Sequence, residues 1–81
     1  MDGYEIFEKR NKIDKKLINI AVALLESDFT EGDIYKIIST FLDNEIEDNP
    51  EIFNAAIDKE QKINELIEKA QNKYQDREEE R

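Results

Sequence analysis

The sequence lacks cysteine and histidine altogether, and it has only two glycines and one proline among its 81 residues. Without cysteine the chain forms neither a disulfide nor a thiolate metal site, and without histidine it lacks a common metal ligand and general base. Glycine and proline supply the turns that a β fold needs, so their scarcity argues against such a fold. The length suits one small domain, which no disulfide stabilises.

Motifs of familiar enzymes are missing as well. The sequence contains no Gly-rich phosphate loop, no Gly-rich dinucleotide turn and no His-Glu-x-x-His pair, each of which serves a specific chemistry. The acid-rich segment 43–48 does not fit a calcium-binding EF-hand loop. Counted from Asp43, the loop has Asp48 instead of glycine at its sixth position and Asn54 instead of glutamate at its twelfth. We therefore expect no enzyme activity, no cofactor and no metal site.

Long hydrophobic runs are also absent. No apolar segment typical of a signal peptide follows Met1, and the longest apolar-rich stretch, 17–25, is too short to span a bilayer. We therefore expect a cytoplasmic protein that does not bind membranes. Isoleucine, lysine and asparagine number 12, 9 and 7. Because their codons are AT-rich, these residues indicate a low-GC bacterium or one of its phages or plasmids.

What the sequence does contain is an apolar spacing typical of amphipathic helices. A first helix is predicted over about residues 4–27, because five of its apolar residues share one narrow arc at 100° per residue. These residues are Ile6, Ile13, Leu17, Ile20 and Leu24. A second helix is predicted over about 31–44, with Thr30 as its N-cap. We place its end near Asn44, because Glu45 would fall on the apolar face.

The third predicted helix is the longest and covers about residues 50–75. Asn49 is expected to cap it, and Pro50 suits its first position because a missing N–H costs nothing there. The segment 76–81 has no apolar side chain and is expected to fray. The sequence thus predicts an all-α fold: a three-helix bundle with a long C-terminal helix, built as one domain over residues 1–75.

Acidic residues are concentrated in the middle of a chain whose net charge is −9. Between residues 28 and 51 the only basic side chain is that of Lys36. A charge run of this kind usually keeps the surface soluble, but it can also complement a basic groove on a partner. The candidate acidic contacts are Asp28, Glu31, Asp33, Asp43, Glu47 and Asp48.

Basic residues cluster in the first helix, where Lys9, Lys12 and Lys16 share an arc and could contact phosphates. Favourable i, i+4 pairs with Glu5 and Glu8 also explain this cluster as an ordinary solvated face. The net charge of −9 opposes an approach to DNA. A nucleic-acid-binding accessory factor is therefore an alternative, and nucleic acid is not the partner that we expect.

Helix length suggests where a partner would bind. At 1.5 Å per residue the second predicted helix is roughly 22 Å long and covers only part of its neighbours. Apolar residues beyond its reach would stay uncovered, which marks an interface. The candidate apolar contacts are Leu66, Ile67, Ala70, Tyr74, Ile6 and Phe7.

These features lead to two main function hypotheses. The first is a small acidic module that binds, and regulates or inhibits, a larger protein. The second is a self-associating structural or accessory subunit. Both hypotheses predict a homodimer or a complex with another chain, in which the uncovered apolar residues are buried.

Overall fold

The computed structural model describes residues 3–50, residue 53 and residues 59–79, the last of these with side chains as far as residue 76. Three α-helices make up most of this part of the chain: α1 (Gly3–Glu26), α2 (Glu31–Asp48) and α3 (Lys59–Glu79). No strand occurs among the described residues. The predicted all-α three-helix bundle is confirmed. Its C-terminal helix has 21 described residues, between the 24 of α1 and the 18 of α2.

The turn between α1 and α2 follows the predicted capping. The hydroxyl oxygen of Thr30 accepts a hydrogen bond from the backbone N–H of Asp33 at 3.2 Å, which satisfies a donor that the helix leaves open. Asp28 adopts a positive φ of 63°, a left-handed conformation that aspartate tolerates better than most residues. The N–H of Phe29 then donates to the carbonyl of Leu24 at 3.2 Å. These contacts end α1 and reverse the chain within a few residues.

The end of α2 differs from the prediction, because the helix continues past Asn44 to Asp48. Glu45 is compatible with its inward-facing position because its carboxylate pairs with the Lys16 ammonium of α1 at 3.0 Å. The next residue, Ile46, packs against the core. The helix ends where the Asn49 N–H donates to the Glu45 carbonyl at 2.9 Å. Because this ion pair accommodates Glu45, α2 and its apolar face extend beyond the predicted end at Asn44.

The beginning of the third helix is placed later than predicted. Pro50 lies in a turn and Phe53 at a bend, while the described part of α3 starts at Lys59. The predicted helical residues 51, 52 and 54–58 lie outside the described residues. At the other end α3 continues to Glu79, beyond the expected onset of fraying at Asp76. Residues 80–81 of the predicted frayed segment also lie outside the described part.

The core consists of one buried face from each helix together with Phe53. Its members are Ile13, Leu17, Ala21, Val22, Ile34, Ile38, Leu42, Phe53, Ile63, Leu66 and Ala70. Ion pairs connect all three helices at the edges of this core: Lys16–Glu45, Lys59–Asp43 and Lys62–Asp14. None of the helices in the described part of the chain is long and apolar enough to cross a membrane.

The expected uncovered stripe on the third helix needs correction. Leu66 and Ala70 are 1% and 0% exposed and belong to the core, while Ile67 packs against it in part. The reason is a shift in level. Because Phe53 lies at a bend, the third helix starts after residue 53 instead of at Pro50, and Leu66 lies nearer to its beginning than predicted. Leu66 therefore has no free apolar face to offer a partner.

Contacts with α2 show how far this coverage extends. The side-chain amide of Gln71 donates to Glu31, the first residue of α2, at 3.4 Å. Helix α3 therefore runs beside α2 up to about Gln71, and its apolar residues 66–70 precede that point. Beyond it, Tyr74 is half-buried, and Asn72, Lys73 and Asp76 are exposed polar residues. The part of α3 that passes the start of α2 is mostly polar, so it supplies no broad apolar stripe.

Candidate functional site

The first two turns of α1 carry the most exposed large apolar side chains described. Tyr4 is 70% and Phe7 60% exposed. They are three residues apart, so they share one face of the helix. Ile6 is directed differently and packs against the core in part. Of the predicted apolar contacts, Phe7 is thus open to a partner, Ile6 is only partly so, and Tyr4 joins them. We call Tyr4 and Phe7 the aromatic end.

The position of the described part of α3 is consistent with this exposure. Lys62 donates to the Asp14 carboxylate at 2.9 Å, which sets the level of α3 relative to α1. Lys59, three residues earlier, therefore lies near the level of Asn11 on the standard helical rise. The described part of α3 does not extend down to Tyr4. The described part of α3 therefore leaves Tyr4 and Phe7 uncovered.

A groove of about 340 Å³ lies beside the aromatic end, between α1 and the start of α3. Its lining consists of Phe7, Arg10, Asn11, Asp14, Gln61, Lys62 and Glu65. The Arg10 guanidinium carbon lies 5.9 Å from the centroid of the Phe53 ring, a distance at which a cation and an aromatic face attract. The groove thus places side chains of both charge signs next to exposed aromatics.

Two buried atoms at this groove have unused hydrogen-bonding capacity. Among the described residues, neither Arg10 Nε nor Asp14 Oδ1 has a hydrogen-bond partner, although the other Asp14 oxygen accepts from Lys62. Buried polar atoms normally find a partner. Their state shows that the polar edge of the groove is not fully satisfied within the described part of the chain.

The predicted acidic contacts are exposed but do not form one surface. Asp43 pairs with Lys59, and Glu31 accepts a hydrogen bond from Gln71. Asp28 and Asp33 lie at the N-terminal end of α2, whereas Glu47 and Asp48 lie at its C-terminal end. The 18 residues of α2 separate these ends by about 27 Å. The acidic middle of the sequence therefore becomes two separate clusters.

The predicted basic contacts lie against one of those clusters. Lys16 pairs with Glu45 of α2, and Lys9 and Lys12 line a groove with Ile13, Glu45 and Asn49. The carboxylates at the end of α2 lower the positive potential that these lysines could offer to phosphates. This arrangement weakens the case for nucleic acid at that face.

Sequence reasoning missed a second set of basic residues, because they come from different helices. Lys15 of α1 and Lys69 and Lys73 of α3 line one groove. The spacing of Lys69 and Lys73 puts them on one helix face, and this was the available signal. Their proximity to Lys15 depends on how α1 and α3 pack, which apolar periodicity does not specify.

Similarity to known proteins supplies no assignment for any of these surfaces. No protein family matches the chain, and neither a curated protein nor a solved structure is significantly similar to it. Within the part that the structure describes, no group of three or more acidic side chains is placed to hold a metal ion. The interpretation of the surfaces therefore depends on their geometry and chemistry.

Proposed function

We propose that this protein is a small binding module that docks another protein through the aromatic end. The observation that supports the proposal is the 70% exposure of Tyr4 and the 60% exposure of Phe7 on one face of α1. Exposed aromatics grouped beside a charged groove are typical of protein interfaces, whose cores are enriched in aromatic residues and whose rims are polar. Regulation or inhibition of the partner is the function we propose for this binding.

Energetics favour these two residues as the centre of such an interface. A buried aromatic side chain removes about 150–250 Å² from water. At about 25 cal/mol per Å², covering what remains exposed on Tyr4 and Phe7 gives several kcal/mol before association costs are subtracted. Tyrosine is enriched among residues that dominate binding energy. The Tyr4 hydroxyl can in addition donate a hydrogen bond at the edge of the contact.

The groove beside the aromatic end indicates which charges a partner would contact. Arg10 supplies positive charge and Glu65 negative charge in this groove, which also contains the Lys62–Asp14 ion pair. A partner that covers the aromatic end and reaches into this groove would meet both signs of charge. Complementary charges of this kind affect specificity and the association rate more than affinity. We therefore expect a partner with an apolar pocket flanked by charged residues.

Self-association is the second candidate, and the same observation supports it. Two copies can pair their aromatic ends around a twofold axis, because such an interface uses one patch on both subunits. The predicted dimer contacts Leu66 and Ala70 are buried within the chain, and we therefore expect a dimer to use the aromatic end.

A pull-down with a matched control tests the proposal. The bait proteins are the wild type, a Tyr4→Ala/Phe7→Ala variant and a Phe29→Ala/Phe41→Ala control, which removes the other two exposed aromatics. We expect one discrete protein to be retained by the wild type and the control and to be lost with the aromatic-end variant. Sedimentation velocity of the same three proteins detects self-association. Equal retention by all three baits, with every bait monomeric, would contradict the proposal.

A further inference from the structure

The groove lined by Lys15, Ile18, Asn19, Lys69 and Lys73 lies between α1 and α3, further along the bundle than the aromatic end. Its volume of about 300 Å³ falls at the lower end of the range for small-molecule sites. Three of its five lining residues are lysines, and its lining contains no acidic residue among those described. A local excess of positive charge is therefore present on a chain whose net charge is −9.

These lysines are not neutralised by the ion pairs of the bundle. The ion pairs in the described part of the chain involve Lys16, Lys59 and Lys62. The Lys73 ammonium instead donates to the side-chain oxygen of Asn19 at 2.8 Å. Asn19 is a neutral acceptor, so this bond holds the ammonium at the groove and leaves its charge unbalanced.

Lys69 and Lys73 are two positive charges on one face of α3. Like charges four residues apart on a helix repel each other and destabilise it. Lys15 adds a third positive charge from the facing helix. A bound anion reverses this repulsion, because each ammonium then gains a charge-assisted hydrogen bond.

Neighbouring acids restrict the shape of the anion. Glu65 and Glu68 line an adjacent groove on α3 that also includes Lys69 and Asn72. A long polyanion that followed α3 would pass these carboxylates and be repelled. A compact anion that contacts only Lys15, Lys69 and Lys73 avoids them. The charges thus favour a single phosphate or pyrophosphate group over a nucleic-acid backbone.

We propose that Lys15, Lys69 and Lys73 form a binding site for the phosphate or pyrophosphate group of a small molecule. Lysine ammonium groups bind such groups as compact positive charges with several donors each. Ile18 provides an apolar surface for a neighbouring part of the ligand. The site is separate from the aromatic end, so it is independent of the proposed protein-binding function.

Two probes test whether the site binds a free pyrophosphate group or one attached to a nucleoside. They are inorganic pyrophosphate and adenosine diphosphate. Binding is measured by calorimetry and by amide chemical shifts of the full chain. We expect saturable binding, with the largest shifts at Ile18, Asn19 and Lys73. Tighter binding of the nucleotide would assign a nucleoside ligand, and equal affinity would assign the phosphate group alone.

Matched variants separate a built site from general attraction. We expect Lys69→Gln/Lys73→Gln to weaken binding at least about tenfold. Lys9→Gln/Lys12→Gln removes the same charge from another face and should leave the affinity nearly unchanged. The groove variant should melt close to the wild type, because the lost repulsion between Lys69 and Lys73 offsets the lost attraction between Glu65 and Lys69. Its circular dichroism spectrum checks that it remains helical.

Three results would overturn the proposal. The first is equal weakening of binding by both double variants, which shows attraction by charge alone. The second is the absence of saturable binding by either probe at about 10 mM, an affinity too weak for a specific site. The third is a short DNA duplex that binds more tightly than pyrophosphate and is displaced by added salt, since this points to a polyanion surface.

Discussion

The first turns of α1 and the middle of α3 carry similar apolar residues, yet one region is exposed and the other forms part of the core. Phe7 is 60% exposed, whereas Leu66 is 1% exposed. Both were expected to stay uncovered by a short second helix. The difference shows that exposure in a bundle depends on the levels at which helices start, as well as on their lengths.

Two contacts mark those levels. Lys62 reaches Asp14 of α1, and Gln71 reaches Glu31 at the start of α2. Between them, α3 lies beside both other helices, so its apolar face is covered there. The first turns of α1 lie outside this interval. An apolar residue is consequently a candidate contact where no described helix lies beside it.

The largest expected effect concerns Leu66. Replacing Leu66 with alanine should lower the free energy of unfolding by about 2–5 kcal/mol, because the change leaves a cavity in a packed core. Chemical denaturation followed by circular dichroism measures this effect. A loss below about 0.5 kcal/mol, typical of surface sites, would show that Leu66 is exposed in solution. Phe7 and Leu66 would then not differ in burial.

Several parts of the fold could be predicted from the sequence because local rules determine them. The helical faces follow from apolar spacing, and the N-cap follows from Thr30 and the chain reversal before it. The extension of α2 could not be predicted in this way, because it depends on the pairing of Glu45 with Lys16 across 29 positions. Local patterns do not encode such contacts.

The candidate site likewise contains residues that could be predicted from the sequence and residues that could not. Phe7 was identified from its place at the end of an amphipathic helix, and the structure leaves it exposed. The sequence predicts Leu66 and Ala70 on the same surface because it places the start of the third helix at Pro50. The groove of Lys15, Lys69 and Lys73 was missed, since it requires the packing of α1 on α3. The relative positions of the packed helices, and not the residue types, determine which of these residues are exposed or brought together.

A smaller effect is expected at the ion pair that sets the level of α3. Asp14 and Lys62 have side chains that are 18% and 21% exposed. Asp14→Asn should cost about 1.5–3 kcal/mol, because it removes a charged partner from a sheltered ammonium. The control is Asp43→Asn, whose more exposed pair with Lys59 should contribute below about 1 kcal/mol. Equal costs in urea denaturation would contradict a special role for the Asp14 pair.

Partly buried residues from both regions provide the next comparison. Ile6 of α1 and Ile67 of α3 each pack against the edge of the core. Ile6→Ala and Ile67→Ala should each lower the free energy of unfolding by about 1 kcal/mol, since both side chains keep part of their surface in water. Thermal denaturation at matched concentrations measures the two effects. A cost at Ile6 as large as that at Leu66 would indicate that the start of α1 belongs to the core.

The smallest expected effect on stability is at the aromatic end itself. Tyr4→Ala/Phe7→Ala should change the free energy of unfolding by no more than about 0.5 kcal/mol, because both side chains are largely exposed. Exchange of the backbone amides of α1 should nevertheless be fastest in its first turns, which have fewer tertiary contacts than the middle of the helix. Denaturation and hydrogen exchange of the wild type and the variant test these two statements.

A loss of several kcal/mol, or strong protection of the amides of residues 4–7, would show that the aromatic end is already covered in the free protein. A near-zero effect on stability, combined with loss of a bound partner, would show that these side chains serve binding and not folding.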